Sequence, residues 1–290
     1  MGAVTELVGR ECSGRGAASK EDMKGRSYTF EIPKEVLEQY VAFLTEPPTF
    51  ADRIRRWAIS NVQDVDRAEK SLVESLTQTP LLARIGIAAI RDGQYVAKAG
   101  SVEDDLDSRL SAQLRTLMEL NAQVFVGSWY ELRKVGGIDS SSVIDLLKGS
   151  PAFDQVGIDM ISEGLERFFA DDHLAATHIL VPQVERALRK LLGLLGRPTN
   201  KSIRGEKGTM QEQNMNDALA DPAMKELLPR NWQRHLQIVF ASRLGSNLRN
   251  LIAHGLPPPD QFSVYTSLFA LQGLLLLAHV EATGSEEQST

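Results

Sequence analysis

The segment "LRNLIAHG" (residues 248–255) places an arginine, an asparagine and a histidine within six positions of an otherwise apolar run. On a helix, Asn250 and His254 are four residues apart and share a face, which Arg249 flanks. An arginine fork can hold a phosphate oxygen, and a histidine can take up or return a proton during group transfer. The three residues are therefore candidates for catalysis on a phosphodiester.

Such a site is suited to RNA, because the 2′-hydroxyl is a nucleophile already present in the substrate and no metal ion has to activate water. The sequence contains no His-Glu-x-x-His motif, and its single cysteine, Cys12, excludes a cysteine-based zinc site and an internal disulfide framework. We therefore expect neither a metal site nor a cofactor.

A second segment, "RNWQRH" (230–235), repeats the same spacing of arginine, asparagine and histidine. It follows Pro229 at a predicted helix start, whereas residues 249–254 lie between two strongly apolar helices. Polar side chains buried there are costly unless they are paired or serve a function. We take residues 249–254 as the candidate site and do not expect His235, in the segment 230–235, to be catalytic. Spacing alone leaves another interpretation open, in which Arg249 and His254 form a buried hydrogen-bonded cluster, for example at a dimer interface.

Two further polar residues could support this site. Asn247 is predicted to cap the short helix that carries Arg249. Glu185 could orient Arg249 or His254, or it could form a surface pair with Arg189 four residues away. His178 is predicted to be a core histidine, and the aromatic residues Trp129, Trp232, Phe168 and Phe169 are predicted to belong to the core.

Charge is distributed unevenly along the chain. The net charge of −6 argues against nonspecific coating of nucleic acid, but residues 173–259 hold 12 Lys/Arg against 6 Asp/Glu. An anionic ligand should therefore bind in this region. The loop "RPTNKSIRGEKGT" (197–209) offers candidate RNA-phosphate contacts, with a solvated charged loop as the alternative; its cations are Arg197, Lys201, Arg204 and Lys207.

Nearly every periodic segment has helical spacing of apolar residues and none alternates with period two, which predicts an all-α fold. Ser101, Ser150 and Asp260 are predicted helix N-caps, and Pro182 is predicted to kink a long helix. The predicted helices cover 33–44, 101–135, a segment that begins at Pro151, 173–196, 230–244, 248–254 and a final apolar segment.

The domain organisation is predicted from breaks in this pattern. Residues 1–28 are polar and lack the apolar core of a signal peptide, so they form a predicted flexible tail. The single cysteine suits a reducing cytosol, and we expect a cytoplasmic protein. The Gly/Ser-rich stretch 135–142 separates a helical N-terminal domain (29–138) from a second domain (139–284), and residues 285–290 form a tail. The apolar run 267–280 contains Gln272 and His279, which favours a core helix over a membrane span.

The sequence "LGSNLRNLIAHGL" (244–256) resembles the signature of the HEPN superfamily, in particular a branch of bacterial proteins with an LRNxxAHG motif. Residues 168–192 resemble the helix that precedes this motif, so the resemblance covers about residues 150–282. It implies a C-terminal HEPN-like helical bundle that forms a homodimer, with the Arg/His motifs of the two copies facing across a shared cleft. A tyrosine found two residues after the histidine in one toxin branch is replaced here by Leu256.

Many HEPN proteins are metal-independent endoribonucleases that leave a 2′,3′-cyclic phosphate. The resemblance therefore implies that Arg249, Asn250 and His254 are catalytic, with antiviral defence or a toxin role suggested by family analogy alone. The alternative is a non-catalytic HEPN module that binds RNA or a protein. A protein partner could also bind through the N-terminal domain.

Overall fold

The computed structural model describes residues 33–91, 94–203 and 208–280, which are predominantly helical, so the predicted all-α fold class is confirmed. The two predicted tails, 1–28 and 285–290, lie outside the described residues. The elements up to the predicted domain boundary are α1 (Lys34–Thr45), α2 (Phe50–Ser60), α3 (Val65–Gln78), α4 (Pro80–Arg84), β1 (Ile87–Arg91), β2 (Gln94–Ala99), α5 (Leu106–Leu120) and α6 (Ala122–Gly136).

The second half carries the candidate site and contains most of the longest helices. Its elements are α7 (Ser140–Lys148), α8 (Gln155–Phe169), α9 (His173–Leu194), β3 (Asn200–Ser202), β4 (Met210–Glu212), α10 (Met215–Ala220), α11 (Pro222–Leu227), α12 (Arg230–Leu236), a π-helical turn (Gln237–Ala241), α13 (Leu248–Ala253), a 3-10 turn (Pro259–Gln261) and α14 (Val264–Ala278).

The structure also contains two short strand pairs that the sequence pattern did not predict. β1 pairs with β2 and β3 pairs with β4, each as a two-stranded antiparallel sheet. The strands are three to six residues long, so each is too short to show sustained alternation. The Asp-Gly sequence at 92–93 is a common hairpin signal and could have predicted the first pair.

The predicted long helix 101–135 is in fact two helices, α5 and α6, separated at Asn121. Ser101 does not cap it. The backbone N–H of Ser108 instead donates to Asp105 Oδ1 at 3.3 Å, while Ser101 Oγ accepts from the backbone of Asp104 in the preceding turn. Helical periodicity continues through both segments, so periodicity alone does not reveal the break.

Two other predicted caps are also displaced along the chain. α8 begins after Asp154, whose Oδ1 accepts from the backbone N–H of Gly157 at 2.8 Å, and not after Ser150. α14 begins after Ser263 in a capping box with Thr266, whereas Asp260 lies in the 3-10 turn. In both cases the cap that the structure uses lies three or four residues later, next to the first turn that can bury its apolar face.

The core centres on α9, which packs against α8 and α14. Gly164 permits the close approach of α8 to α9, because its Cβ would lie 2.6 Å from Leu180 Cδ2. A Cβ on Gly273 of α14 would lie 2.9 Å from Phe240 Cε2 in the π-helical turn and 3.4 Å from Val184 Cγ2 in α9. α14 is buried almost all round, from Ser267 to Leu277. Among the described residues, no helix has the length and apolar character that crossing a membrane requires.

Residues from both sides of the predicted domain boundary share this core. The rings of Trp57 and Trp129 lie 5.0 Å apart, and the ring of Trp129 lies 5.6 Å from that of Phe168. Gln272 Nε2 in α14 donates to the backbone oxygen of Ala58 in α2 at 2.9 Å. Trp129 and Phe168 are buried and Trp232 and Phe169 pack against the core, as predicted. The boundary at 138/139 remains a prediction.

Candidate functional site

The chain reaches α13 through a tight reversal. α12 continues into the π-helical turn and leaves the helix at Ser242, so the predicted helix 230–244 ends earlier. The backbone N–H of Ser246 donates to the oxygen of Ile238 at 2.9 Å. A Cβ on Gly245 would lie 2.0 Å from the same oxygen, so this position has no room for a side chain. The close contact fixes where α13 starts.

Asn247 occupies the position before α13, but its predicted capping role is wrong. Its backbone is left-handed, with φ of 53°, and its side chain makes no capping hydrogen bond. Its Oδ1 accepts instead from Asn250 Nδ2 at 2.7 Å, and the residue is buried. Asparagine tolerates the left-handed region better than most residues. Asn247 therefore positions Asn250.

Arg249 is held from two sides. Its Nε and Nη2 donate to the carboxylate of Glu185 at 2.6 and 3.4 Å, and its Nη1 donates to Asn250 Oδ1 at 3.1 Å. A guanidinium has five N–H groups, so two of them remain without an acceptor from these partners. The Arg249 side chain is 32% exposed. An anion can therefore reach the remaining donors of a guanidinium whose orientation is already fixed.

Glu185 combines two of the roles that the sequence left open. Its carboxylate accepts from Arg249 and also from Arg189 Nη1 at 2.8 Å, and its side chain is only 11% exposed. Arg189 Nε lies 3.7 Å from Glu212 Oε2 on β4. Removing one partner from a poorly solvated ion pair is costly because the remaining charge is left uncompensated. Glu185 thus joins Arg249 of α13 to Arg189 of α9.

His254 follows α13 directly. Its backbone N–H donates to the oxygen of Asn250 at 3.1 Å, and Gly255 ends the helix with φ of 61°. Its side chain is exposed. Within the described ranges, no hydrogen bond or ion pair involves the imidazole. In a single chain His254 therefore does not form a buried cluster with Arg249, and both ring nitrogens are available to a ligand.

The segment with the same spacing, 230–235, has a different environment. Arg230 pairs with Asp66 and Glu69 of α3. His235 is 3% exposed, and neither ring nitrogen has a hydrogen-bond partner among the described residues. Burial lowers the pKa of His235 to about 4, against an opposing effect of Gln272. This histidine is a neutral core residue, in agreement with the choice of the other segment.

The two described cations of the 197–209 loop are less free than a phosphate clamp requires. Arg197 Nε donates to Asp221 Oδ2 at 3.1 Å, and Lys201 Nζ donates to Asp217 Oδ2 at 2.5 Å. Arg204 and Lys207 lie outside the described residues. Each of the two described cations would have to share its charge between a carboxylate and RNA.

The prediction that His178 is a core histidine is wrong. The side chain is exposed on α9, with Nδ1 2.8 Å from the oxygen of Leu174 and its ring 4.7 Å from that of Phe262. His178 precedes Glu185 by seven residues, so both lie on the same face of α9. The sequence shows this spacing, but only the contact between Glu185 and Arg249 reveals that this face of α9 is turned towards α13.

Among residues 33–91, 94–203 and 208–280, no three His, Cys, Asp or Glu side chains are grouped to hold a metal ion. Comparison with known proteins gave no match to this chain among protein-family models, curated proteins or solved structures.

Proposed function

We propose that this chain is a metal-independent endoribonuclease of the HEPN type that acts as a homodimer in the cytoplasm. The observation that supports the proposal is the pairing of a positioned arginine with an open histidine. Arg249 is oriented by Glu185 and Asn250 with donors left over, while His254, at the end of the same helix, is exposed and lacks a described partner.

In the proposed reaction, the 2′-hydroxyl attacks the adjacent phosphorus and the bond from phosphorus to the 5′-oxygen breaks. The products are a 2′,3′-cyclic phosphate and a free 5′-hydroxyl, so one proton leaves the nucleophile and one reaches the leaving group. Arg249 neutralises the charge that develops on the phosphorane oxygens. His254 transfers a proton, and the His254 of a second copy provides the other transfer.

The experiment is a cleavage assay on single-stranded RNA with purified full-length protein. Cleavage should continue in EDTA and should stop on DNA and on RNA carrying a single 2′-deoxy substitution at the cleaved position, because the nucleophile is then missing. The 3′ ends of the products should be cyclic phosphates. Magnesium-dependent cleavage of DNA by the same preparation would contradict the mechanism.

A non-catalytic module that binds RNA or a protein is the second candidate. One observation favours it: Asn247, Asn250, Arg249, Glu185 and Arg189 form a continuous hydrogen-bonded chain within one molecule. A polar network of this kind can simply hold α13 on α9. Tight RNA binding by wild type without detectable cleavage, unchanged in His254→Ala, would favour this candidate over the enzyme.

A further inference from the structure

His178 on α9 has an oriented ring and an open hydrogen-bond acceptor. Its Nδ1 lies 2.8 Å from the backbone oxygen of Leu174. Because a carbonyl oxygen can only accept a hydrogen bond, Nδ1 carries the proton, and Nε2 of the neutral ring is then an acceptor. The side chain is exposed, and Nε2 has no hydrogen-bond partner within the part of the chain that the structure describes. His178 therefore presents an oriented acceptor to an incoming ligand.

Phe262 places an apolar ring directly beside this acceptor. The centres of the two rings are 4.7 Å apart, and their planes are inclined by 42°. Phe262 is half-buried but, unlike Tyr265 three residues later, it does not pack against the core that the described residues form. Its ring therefore contributes apolar surface at the exterior of the protein and limits the orientations of the His178 imidazole.

A second acceptor belongs to the same part of α9. Pro182 has no backbone N–H, so it cannot donate the usual helical hydrogen bond to the backbone oxygen of His178, four residues earlier. Pro182 is exposed, as His178 is. The imidazole Nε2 and this backbone oxygen are both acceptors. A ligand that supplies hydrogen-bond donors on a flat, partly apolar group is therefore complementary to this surface.

α9 sets the distance between this surface and the candidate site. Glu185 follows His178 by seven residues, which corresponds to about 10 Å along a helix. Glu185 holds Arg249 and His178 contacts Phe262, so the segment from Arg249 to Phe262, which includes His254, connects these two points of α9. Stacked nucleotides are spaced by about 3.4 Å. A strand whose phosphate is bound at Arg249 can therefore reach His178 with a base about two or three nucleotides away.

We propose that His178 and Phe262 form a base-binding subsite for single-stranded RNA, in which the exocyclic amino group of a base donates to His178 Nε2 while the base contacts the Phe262 ring. Adenine and cytosine carry such an amino group, whereas guanine and uracil carry a carbonyl oxygen at the corresponding position. Single-stranded RNA exposes these edges of its bases to side chains. The subsite therefore favours adenine or cytosine near the cleaved bond. This inference rests on the proposed function, because it takes RNA as the ligand of Arg249.

Binding of uncleaved RNA tests the subsite separately from catalysis. The protein is full-length His254→Ala, and fluorescence anisotropy measures its affinity for an adenine oligonucleotide and for one of the same length in which purine, which lacks the amino group, replaces every adenine. The adenine oligonucleotide should bind about two- to tenfold more tightly, the range for one neutral hydrogen bond. Adding His178→Phe should bring this ratio to about one, because phenylalanine keeps a ring but has no acceptor.

Two further variants in the same His254→Ala protein separate recognition from a structural effect. Phe262→Leu should also lower the ratio, because the imidazole loses the ring that limits its orientations, whereas a general structural defect would weaken binding of both oligonucleotides equally. Tyr130→Phe on α6, which likewise removes one polar atom from an exposed aromatic side chain (39%), is the matched control and should leave the ratio unchanged.

A ratio of about one before His178 is changed, or a ratio that His178→Phe leaves unaltered, would overturn the subsite while leaving the proposed ribonuclease intact. A 2′-deoxy adenine oligonucleotide completes the test. If removal of the 2′-hydroxyls and not of the amino groups abolishes the effect of His178→Phe, the partner of Nε2 is a ribose and the base-binding proposal is wrong. Failure to bind either RNA at all would instead contradict the proposed function itself.

Discussion

His254 and His235 follow an arginine and an asparagine at identical spacing, yet their environments are opposite. His254 is exposed beside an arginine that Glu185 orients, whereas His235 is enclosed in the core and kept neutral by burial. Proton transfer to a substrate requires contact with that substrate. The difference in burial, which spacing does not encode, separates the candidate catalyst from its structural counterpart.

We expect His254→Ala to lower RNA cleavage by about 10²–10⁴-fold, the usual contribution of general acid–base catalysis. The free energy of unfolding should change by less than about 0.5 kcal/mol, because the side chain is exposed and lacks described partners. His235→Ala is the control: it should lower stability but reduce cleavage by less than about tenfold at a temperature where it is folded. Loss of cleavage in His235→Ala with full activity in His254→Ala would show that the site lies in residues 230–235 and not in residues 249–254.

Arg249→Lys should be impaired in RNA cleavage almost as severely as His254→Ala. A lysine ammonium cannot contact Glu185 and Asn250 in the geometry of the guanidinium and still present a fork to phosphate. Steady-state cleavage rates measure the loss of the fork to phosphate, and urea unfolding measures the stability lost with the contacts to Glu185 and Asn250. A lysine variant with wild-type activity would show that a point charge is enough and that the fork has no catalytic role.

Buried histidines make stability depend on pH. The pKa of His235 is about 4 in the folded state and about 6.5 in an unfolded chain, so the unfolded chain binds the proton first as pH falls. Stability should therefore be complete above about pH 6.5 and fall progressively towards pH 4, by about 3 kcal/mol at most. Burial also lowers the pKa of His279 to about 4, with the charge of Arg55 adding to the effect, so it acts in the same direction.

Urea unfolding at several pH values between 7.5 and 4.5 measures this dependence. His235→Gln should be less stable than wild type at pH 7.5 but should lose less stability on acidification. If the free energy of unfolding of this variant falls with decreasing pH as steeply as that of wild type, the acid sensitivity belongs to other groups.

At the scale of elements, the candidate site depends on the contact between the π-helical turn and the segment that follows it. The oxygen of Ile238 accepts from Ser246, and the backbone of Gly245 passes so close that no Cβ fits. π-Helical turns interrupt regular helices frequently at functional sites. Here the turn ends α12 and reverses the chain, so that the short α13 meets Glu185 of α9.

Gly245→Ala should therefore destabilise the protein by about 1–3 kcal/mol, the usual cost of overpacking a closely packed position, and should lower cleavage as α13 shifts. Gly149→Ala is the matched control, because its Cβ would be 3.6 Å from the nearest atom and its φ of −74° suits alanine. Circular dichroism melting and the cleavage assay check both variants. Wild-type stability in Gly245→Ala would mean that this loop is more adaptable than its contacts indicate.

At the scale of the whole molecule, residues from α2, α6, α8 and α14 form one continuous core. Trp57 contacts Trp129, and Gln272 of α14 reaches the backbone of α2. α14 is also the helix whose burial is nearly complete. Because helices before and after residue 138 bury each other's apolar surface, we expect them to unfold together.

The corresponding prediction is a single cooperative unfolding transition. Trp57→Ala should lower the stability of the whole chain by about 3–5 kcal/mol, the range for large-to-small changes in a core. Leu165→Ala in α8 should shift the same transition, which calorimetry and tryptophan fluorescence can follow together. Two separate transitions, with Trp57→Ala affecting one of them alone, would show that residues 29–138 and 139–284 fold independently.

The sequence by itself determined the all-α class, most of the helical segments and the choice of Arg249, Asn250 and His254 as the residues to examine. Helical periodicity predicts the helices, and the polarity of a short segment between apolar helices indicates the candidate residues. Both patterns are local properties of the sequence. The break at Asn121 and the positions of the caps were not determined in this way, because periodicity continues across both and several Ser and Asp residues could serve as caps. The β1–β2 hairpin was missed because its strands are short, although the Asp-Gly signal was present.

Only the tertiary structure decided which of the two segments with the same arginine–asparagine–histidine spacing is accessible and which partners hold it. Glu185 lies 64 positions before Arg249, so nothing in local sequence distinguished its contact with Arg249 from the i,i+4 pair with Arg189; in the fold it makes both. Burial of His235 and exposure of His254 and His178 likewise depend on which faces α9, α12 and α14 present to one another. Burial is a property of packing between distant segments, and spacing along one helix does not specify it.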